Sequence, residues 1–112
     1  MFSISIIAPD ASFEVTRGTP QITGNAKGST SDHKLYICGS CASALYAENP
    51  ALPGSKIVRM GCLDDAEVIE QAKPVAEFWT KRRPSWLPAV EGAIQNVEME
   101  RVGEMQTAQQ KT

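Results

Sequence analysis

The chain opens on an alternation. Phe2, Ile4 and Ile6 fall on one side of an extended backbone and Ser3 and Ser5 on the other, the period of two that marks a half-buried strand continuing through Ile7 and Ala8. Pro9-Asp10 turns the chain, after which Ser12-Phe13-Glu14-Val15-Thr16 alternates again and predicts a second strand. Gly18-Thr19-Pro20 is the next turn signal, followed by a short strand around Gln21-Ile22-Thr23. Residues 24–32 read as a polar loop with Gly where positive φ is tolerated. Lys34-Leu35-Tyr36-Ile37 and Ala44-Leu45-Tyr46-Ala47 predict strands on either side of Cys38-Gly39-Ser40-Cys41, which the pattern makes a tight turn. A loop over 49–54 precedes a strand over 56–60. Leu63 opens a short helical segment through Glu70, with Asp64 placed to cap it. Residues 74–79 predict a further strand and Pro84-Ser85-Trp86-Leu87 a single helical turn. The polar run from Arg101 onward has nothing to bury and predicts a frayed end. Short strands separated by turn signals, with only brief helices, predict a mainly β fold in one domain without internal repeats.

Composition narrows the function classes. A formal net charge of −2 and a pI near 5.4 argue against a nucleic-acid surface, which needs clustered Lys and Arg to displace counterions. The densest basic stretch, Lys81-Arg82-Arg83, is three residues long and lies beside aromatics, so it predicts a solvated or substrate-facing edge. No run approaches the roughly 20 apolar residues that span a bilayer, and the N-terminal alternation lacks the basic start of a signal peptide. Three cysteines, an odd count with two of them close together, fit a reducing compartment better than a disulfide framework, so a cytoplasmic location is expected. The expected partner is a small molecule rather than nucleic acid or membrane.

Cys38 and Cys41 are the sharpest chemical signal. Two thiolates at Cys-x-x-Cys spacing on a glycine-containing turn converge on one point, which suits zinc, a borderline-soft ion taking four ligands at tetrahedral corners. Backbone N–H groups in such a knuckle can also reach the sulfurs. The plainer, less favoured reading of the pair is two reduced buried cysteines or a redox-labile couple; a thioredoxin-like role is disfavoured because that motif opens a helix. His33, five residues before Cys38, and Cys62, 21 residues after Cys41, are the candidate extra ligands. Each has a plainer reading, His33 as a surface side chain and Cys62 as a small buried one. Asp64 and Asp65 are candidate acid/base groups as well as helix-capping residues, and Cys62 is a candidate nucleophile. Trp79 and Trp86 read mainly as core, although an aromatic pair beside Lys81, Arg82 and Arg83 also suits a pocket for a small anion. One histidine leaves no Ser-His-Asp set, and no glycine-rich phosphate loop precedes a helix.

Taken together, Lys34-Leu35-Tyr36-Ile37-Cys38-Gly39-Ser40-Cys41, Gly61-Cys62-Leu63-Asp64-Asp65 and Arg83-Pro84-Ser85-Trp86 resemble the pattern of the glutathione-dependent formaldehyde-activating enzyme family, which includes centromere protein V. The resemblance runs over roughly residues 2 to 100, and implies a domain over 1–102 with a flexible tail over 103–112. It implies a β-tent of packed antiparallel sheets, carbon–sulfur lyase activity on the glutathione–formaldehyde adduct, and two zinc ions. In the family, one zinc is structural, held by an early Cys-x-Cys pair and the Cys-x-x-Cys matching Cys38 and Cys41. The other is catalytic, a Lewis acid and template held by a Cys-x-Cys-x-x-Cys motif. Both early motifs would precede Met1, so the resemblance implies an N-terminally shortened or degenerate member. Such a chain would recruit His33 or Cys62 to the remaining pair, share a zinc across a homodimer, or stand without metal. Three departures stand out: Ile37 replaces the usual Phe, Ala42 the usual Gly after the second Cys, and Cys62 the usual Thr. Trp79, Lys81, Arg82 and Arg83 are the residues expected near a glutathione-like anion. Two rival readings are a non-catalytic zinc-binding interaction module and a small-molecule isomerase or lyase acting through Asp64, Asp65 or Cys62 without metal.

Overall fold

The computed structural model of the protein describes residues 3–23 and 33–99. The loop expected over 24–32, the start of the first strand at Phe2 and the tail expected from residue 101 lie outside the described residues. Five strands form one antiparallel sheet: β1 (Ser5–Pro9), β2 (Gln21–Thr23), β3 (Lys34–Ile37), β4 (Ala44–Glu48) and β5 (Ser55–Arg59), in the order β1-β5-β4-β3-β2. The register places Ile6, Val58, Tyr46, Tyr36 and Ile22 in one row across the sheet. The adjacent row holds Ile7, Ile57, Ala47, Leu35 and Thr23, and points to the opposite face. The Tyr36 and Tyr46 rings stack in that first row with centroids 4.3 Å apart, and Phe13 tilts onto Tyr46 at 4.7 Å. Such aromatic contacts add to the area the rings bury. Among the described residues Tyr46, Ala47, Leu52 and Met60 are the buried apolar ones, Tyr46 and Ala47 in the central strand β4, Leu52 in the β4–β5 connection and Met60 just past the opposite end of β5.

The strand expected over 12–16 does not form. A 3-10 turn over Asp10–Ser12 takes its start, and Phe13 continues extended to pack on Tyr46 while Glu14, Val15 and Thr16 stay exposed. Here one aromatic contact, rather than pairing to a neighbour, explains the apolar position. After β5 a 3-10 turn over Met60–Cys62 leads to α1 (Ala66–Gln71). Its cap is Asp65, whose carboxylate accepts from the Glu67 N–H at 3.0 Å, one residue later than expected.

The strand expected over 74–79 shrinks to β6 (Ala76–Glu77), which pairs with β7 (Ile94–Gln95), an element the pattern did not signal. The pairing is parallel, unlike the antiparallel layers expected. A parallel pair needs a long crossover, and residues 78–93 supply one, with Pro84 and Pro88 unable to donate to any ladder. Asn96, fully buried, ties this unit together: its side-chain amide donates to Glu77 O at 3.1 Å and its N–H to the same carbonyl at 2.9 Å. The fold is mainly β, with one short helix among the described residues. No helix there is long and apolar enough to cross a membrane.

Candidate functional site

Strands β3 and β4 pair with a bulge at Tyr36/Ile37, and the turn between them carries both thiols. Cys38 N–H donates to Ser43 O and Ala42 N–H to Cys38 O, each at 2.9 Å, which closes the turn on itself. Ala42 pays for the closure with φ of 62°, the left-handed region that favours glycine. The Ser40 N–H points at Cys38 Sγ from 3.4 Å, and Cys41 Sγ lies 3.2 Å from Ser43 Oγ. Hydrogen bonds from the Ser43 hydroxyl, the Ser43 N–H and the Cys38 thiol hold the Cys41 thiol below its ordinary range. Cys41 is exposed and Cys38 half-buried. The tip therefore presents two sulfurs that interact with each other, one of them biased toward thiolate. Ser43 is the residue that sequence reasoning missed. Its signal was a hydroxyl two positions after the second cysteine, inside the same turn.

The other expected ligands are elsewhere. His33 lies at the far end of β3, and five residues of extended chain separate it from Cys38 by roughly 16 Å. Cys62, expected to be buried, is exposed. Its S–H donates to Ala44 O at 3.2 Å, at the base of the hairpin. Among the described residues no three His, Cys, Asp or Glu side chains come together in a way that could hold a metal. Cys38 and Cys41 thus fit half of a tetrahedral zinc site, and the described residues do not complete it. Asp64 is exposed, Asp65 is occupied in capping α1, and neither carboxylate lines the hollow that Cys62 borders.

The basic edge is sorted by its own acids. Arg83 is bound to Glu77 at 2.9 Å and also to Gln95, while Lys81 pairs with Glu98 at 2.5 Å. Burial would raise the Glu77 carboxyl, but hydrogen bonds from Gln95 and the Val90 N–H and the charge of Arg83 outweigh it and leave the group below its usual range. Arg82 meets no carboxylate among the described residues and lies over the Trp79 ring, 4.9 Å from its centroid, with Lys81 Nζ at 5.3 Å. Trp79 has φ of 57°, rare for a bulky residue, and its N–H donates to Glu98 O at 3.0 Å. The indole is 39% exposed, so it is a surface platform rather than core; Trp86, at 68%, is further from the core reading. Of the four residues expected at a substrate, Arg82 and Trp79 remain available, and Lys81 and Arg83 are engaged.

Comparison with known proteins identifies the family. A family model described as glutathione-dependent formaldehyde-activating enzyme matches residues 1–82, which includes the knuckle, Cys62, Asp64, Asp65 and the Trp79–Arg82 edge but stops before Arg83. No curated protein and no solved structure matches the chain.

Proposed function

The chain belongs to the glutathione-dependent formaldehyde-activating enzyme family, and from that premise we propose that it is a degenerate carbon–sulfur lyase that keeps the family's structural half-site and its anion-binding edge. The observation that carries the reading is the convergence of the Cys38 and Cys41 sulfurs at a hairpin tip, with a backbone N–H aimed at one and a hydroxyl at the other. When bound there, zinc would supply folding free energy and fix the hairpin. Cys38 and Cys41 would hold it, and a second copy of the chain is a natural source of two more thiolates. The expected β-tent form, the cytoplasmic location and the homodimer belong to the same proposal.

The proposal of weak catalysis rests on the donors that these residues offer. The sequence holds three cysteines and one histidine. Once Cys38 and Cys41 are committed to the tip, Cys62 and His33 lie on separate elements. On the separate basic edge, Arg82, backed by the Trp79 ring, is the cation of that edge left to receive a carboxylate of glutathione or its formaldehyde adduct. In this reading these residues bind and orient such a ligand.

Exchange spectroscopy on mixtures of glutathione and formaldehyde tests the proposal. The protein should leave the rate of S-hydroxymethylglutathione formation at the spontaneous value while saturation-transfer signals show glutathione bound in the wild type and lost in Arg82→Ala. A rate clearly above the spontaneous one overturns the degenerate reading, and glutathione binding unchanged in Arg82→Ala overturns the assignment of the edge.

A further inference from the structure

Where β1, β5 and α1 meet, Ile4, Ala44, Met60 and Ile69 wall an open hollow of about 560 Å³ with Arg59 and Cys62 at its margin. The knuckle sulfurs and the Trp79–Arg82 edge do not line it. The walls are mostly apolar, and Ile4 and Ile69 are among the more exposed large apolar residues, 38% and 37%. The volume lies within the range of small-molecule sites, about 300–1,000 Å³, and an apolar chamber with a few convergent polar groups is their usual form.

Arg59 gives the hollow its chemistry. It stands at the end of β5, opposite Ser5, and its Nη1 donates to both Ser3 Oγ and Ser5 Oγ at 3.1 Å. Two hydroxyls fix the fork without neutralising it. Arg59 forms no ion pair among the described residues, and the rest of its guanidinium meets no acceptor there. A half-buried guanidinium that is held in place but left charged is suited to a planar, bidentate anion. Beside it the isoleucine and methionine side chains offer only apolar contact.

We propose that this hollow binds a small amphipathic monocarboxylate, its carboxylate on the Arg59 fork and its hydrocarbon body against Ile4, Met60 and Ile69. The site does not depend on metal at the knuckle or on glutathione at Arg82. Cys62 serves as its reporter, because its exposed sulfur sits at the margin, tethered to Ala44 O at 3.2 Å. A ligand seated in the hollow shields it.

The experiment measures alkylation by N-ethylmaleimide at each cysteine in the full chain, with octanoate or octylamine as probe. Trypsin, which does not cut the Lys73-Pro74 bond, releases residues 60–81 as a peptide carrying Cys62 alone, and Cys38 and Cys41 on another, so the second peptide reports any general effect of the probe. Octanoate should slow labelling of Cys62 in a saturable way and leave the other peptide unchanged, and octylamine should not protect. Arg59→Gln should raise the octanoate concentration for half-protection by about tenfold or more, the loss of a charge-assisted hydrogen-bonded pair. Ile69→Trp, made on the exposed face of α1, fills the chamber without touching Arg59 and should abolish protection even where Arg59→Gln folds poorly. Unchanged Cys62 labelling with octanoate, equal protection by octylamine, or full protection in Ile69→Trp overturns the proposal.

Discussion

At the scale of single residues, three side chains carry costs or gains that a measurement can isolate. Ala42 occupies the left-handed region at φ of 62°, where an L-residue is strained by about 1–2 kcal/mol and glycine is not. Glycine loses part of that advantage to chain entropy. Ala42→Gly should therefore stabilise the protein by up to about 1 kcal/mol, a rise in Tm of about 4 °C by calorimetry. No rise, or a fall, would show that the turn is relaxed as it stands. Tyr36 donates to the Glu48 carboxylate, and that hydrogen bond, with burial and the Glu48 charge, pushes its hydroxyl up from 10.0 to about 12. A group raised on folding stabilises below its unfolded value and stops doing so as pH climbs through its folded one. Absorbance titration at 295 nm should show Tyr36 still protonated at pH 10.5, and Glu48→Gln should bring its titration down toward the ordinary range.

Glu77 has the opposite sign. Its carboxyl is depressed despite burial, so its contribution is present above the unfolded value of 4.5 and lost as pH falls through the lower folded one. Urea midpoints should drop more steeply below pH 4.5 in the wild type than in Glu77→Gln; parallel curves would mean that Gln95, Val90 and Arg83 do not hold the ionised form.

At the scale of elements, the period-two stretches were legible where a neighbouring strand was available to pair with them. β2, β3, β4 and β5 stand within a residue or two of the positions that alternation and turn residues indicate, β1 begins three residues after the expected start at Phe2, and the knuckle sits at a hairpin tip as its glycine and flanking strands suggest. The misreadings share a cause. The stretch at Phe13 alternates as a strand does, but alternation reports only that one side is covered, and here the cover is the Tyr46 ring. β6 and β7 are two residues each, too short for any period, and their pairing is fixed by Asn96 from a distance in sequence that local patterning cannot see. In the site, the cysteine pair was visible from spacing alone. Which cations would be left over at the basic edge was not, because Glu77 and Glu98 claim Arg83 and Lys81 only after the chain has folded. Asn96→Ala tests the element directly. Removing a buried amide that binds Glu77 O should cost about 1–3 kcal/mol and expose the β6–β7 amides to hydrogen exchange. Exchange unchanged at Glu77 and Gln95 would contradict this role.

At the scale of the whole molecule, the described core is small, with Tyr46, Ala47, Leu52 and Met60 as its buried apolar side chains. A domain of this size with so modest a core gains proportionately from any staple, and a metal held by paired thiolates is one such staple. The proposed zinc site therefore bears on stability as well as on family membership. The most direct test is zinc content together with native mass, measured on protein purified without chelator. The expectation is one zinc per chain or one per two chains, tetrahedral sulfur ligation in the X-ray absorption edge, complete loss of metal in the Cys38→Ser/Cys41→Ser double variant, and no loss in Cys62→Ser. Protein that binds no zinc, or a double variant that keeps it, would contradict the assignment of the hairpin tip as a metal half-site.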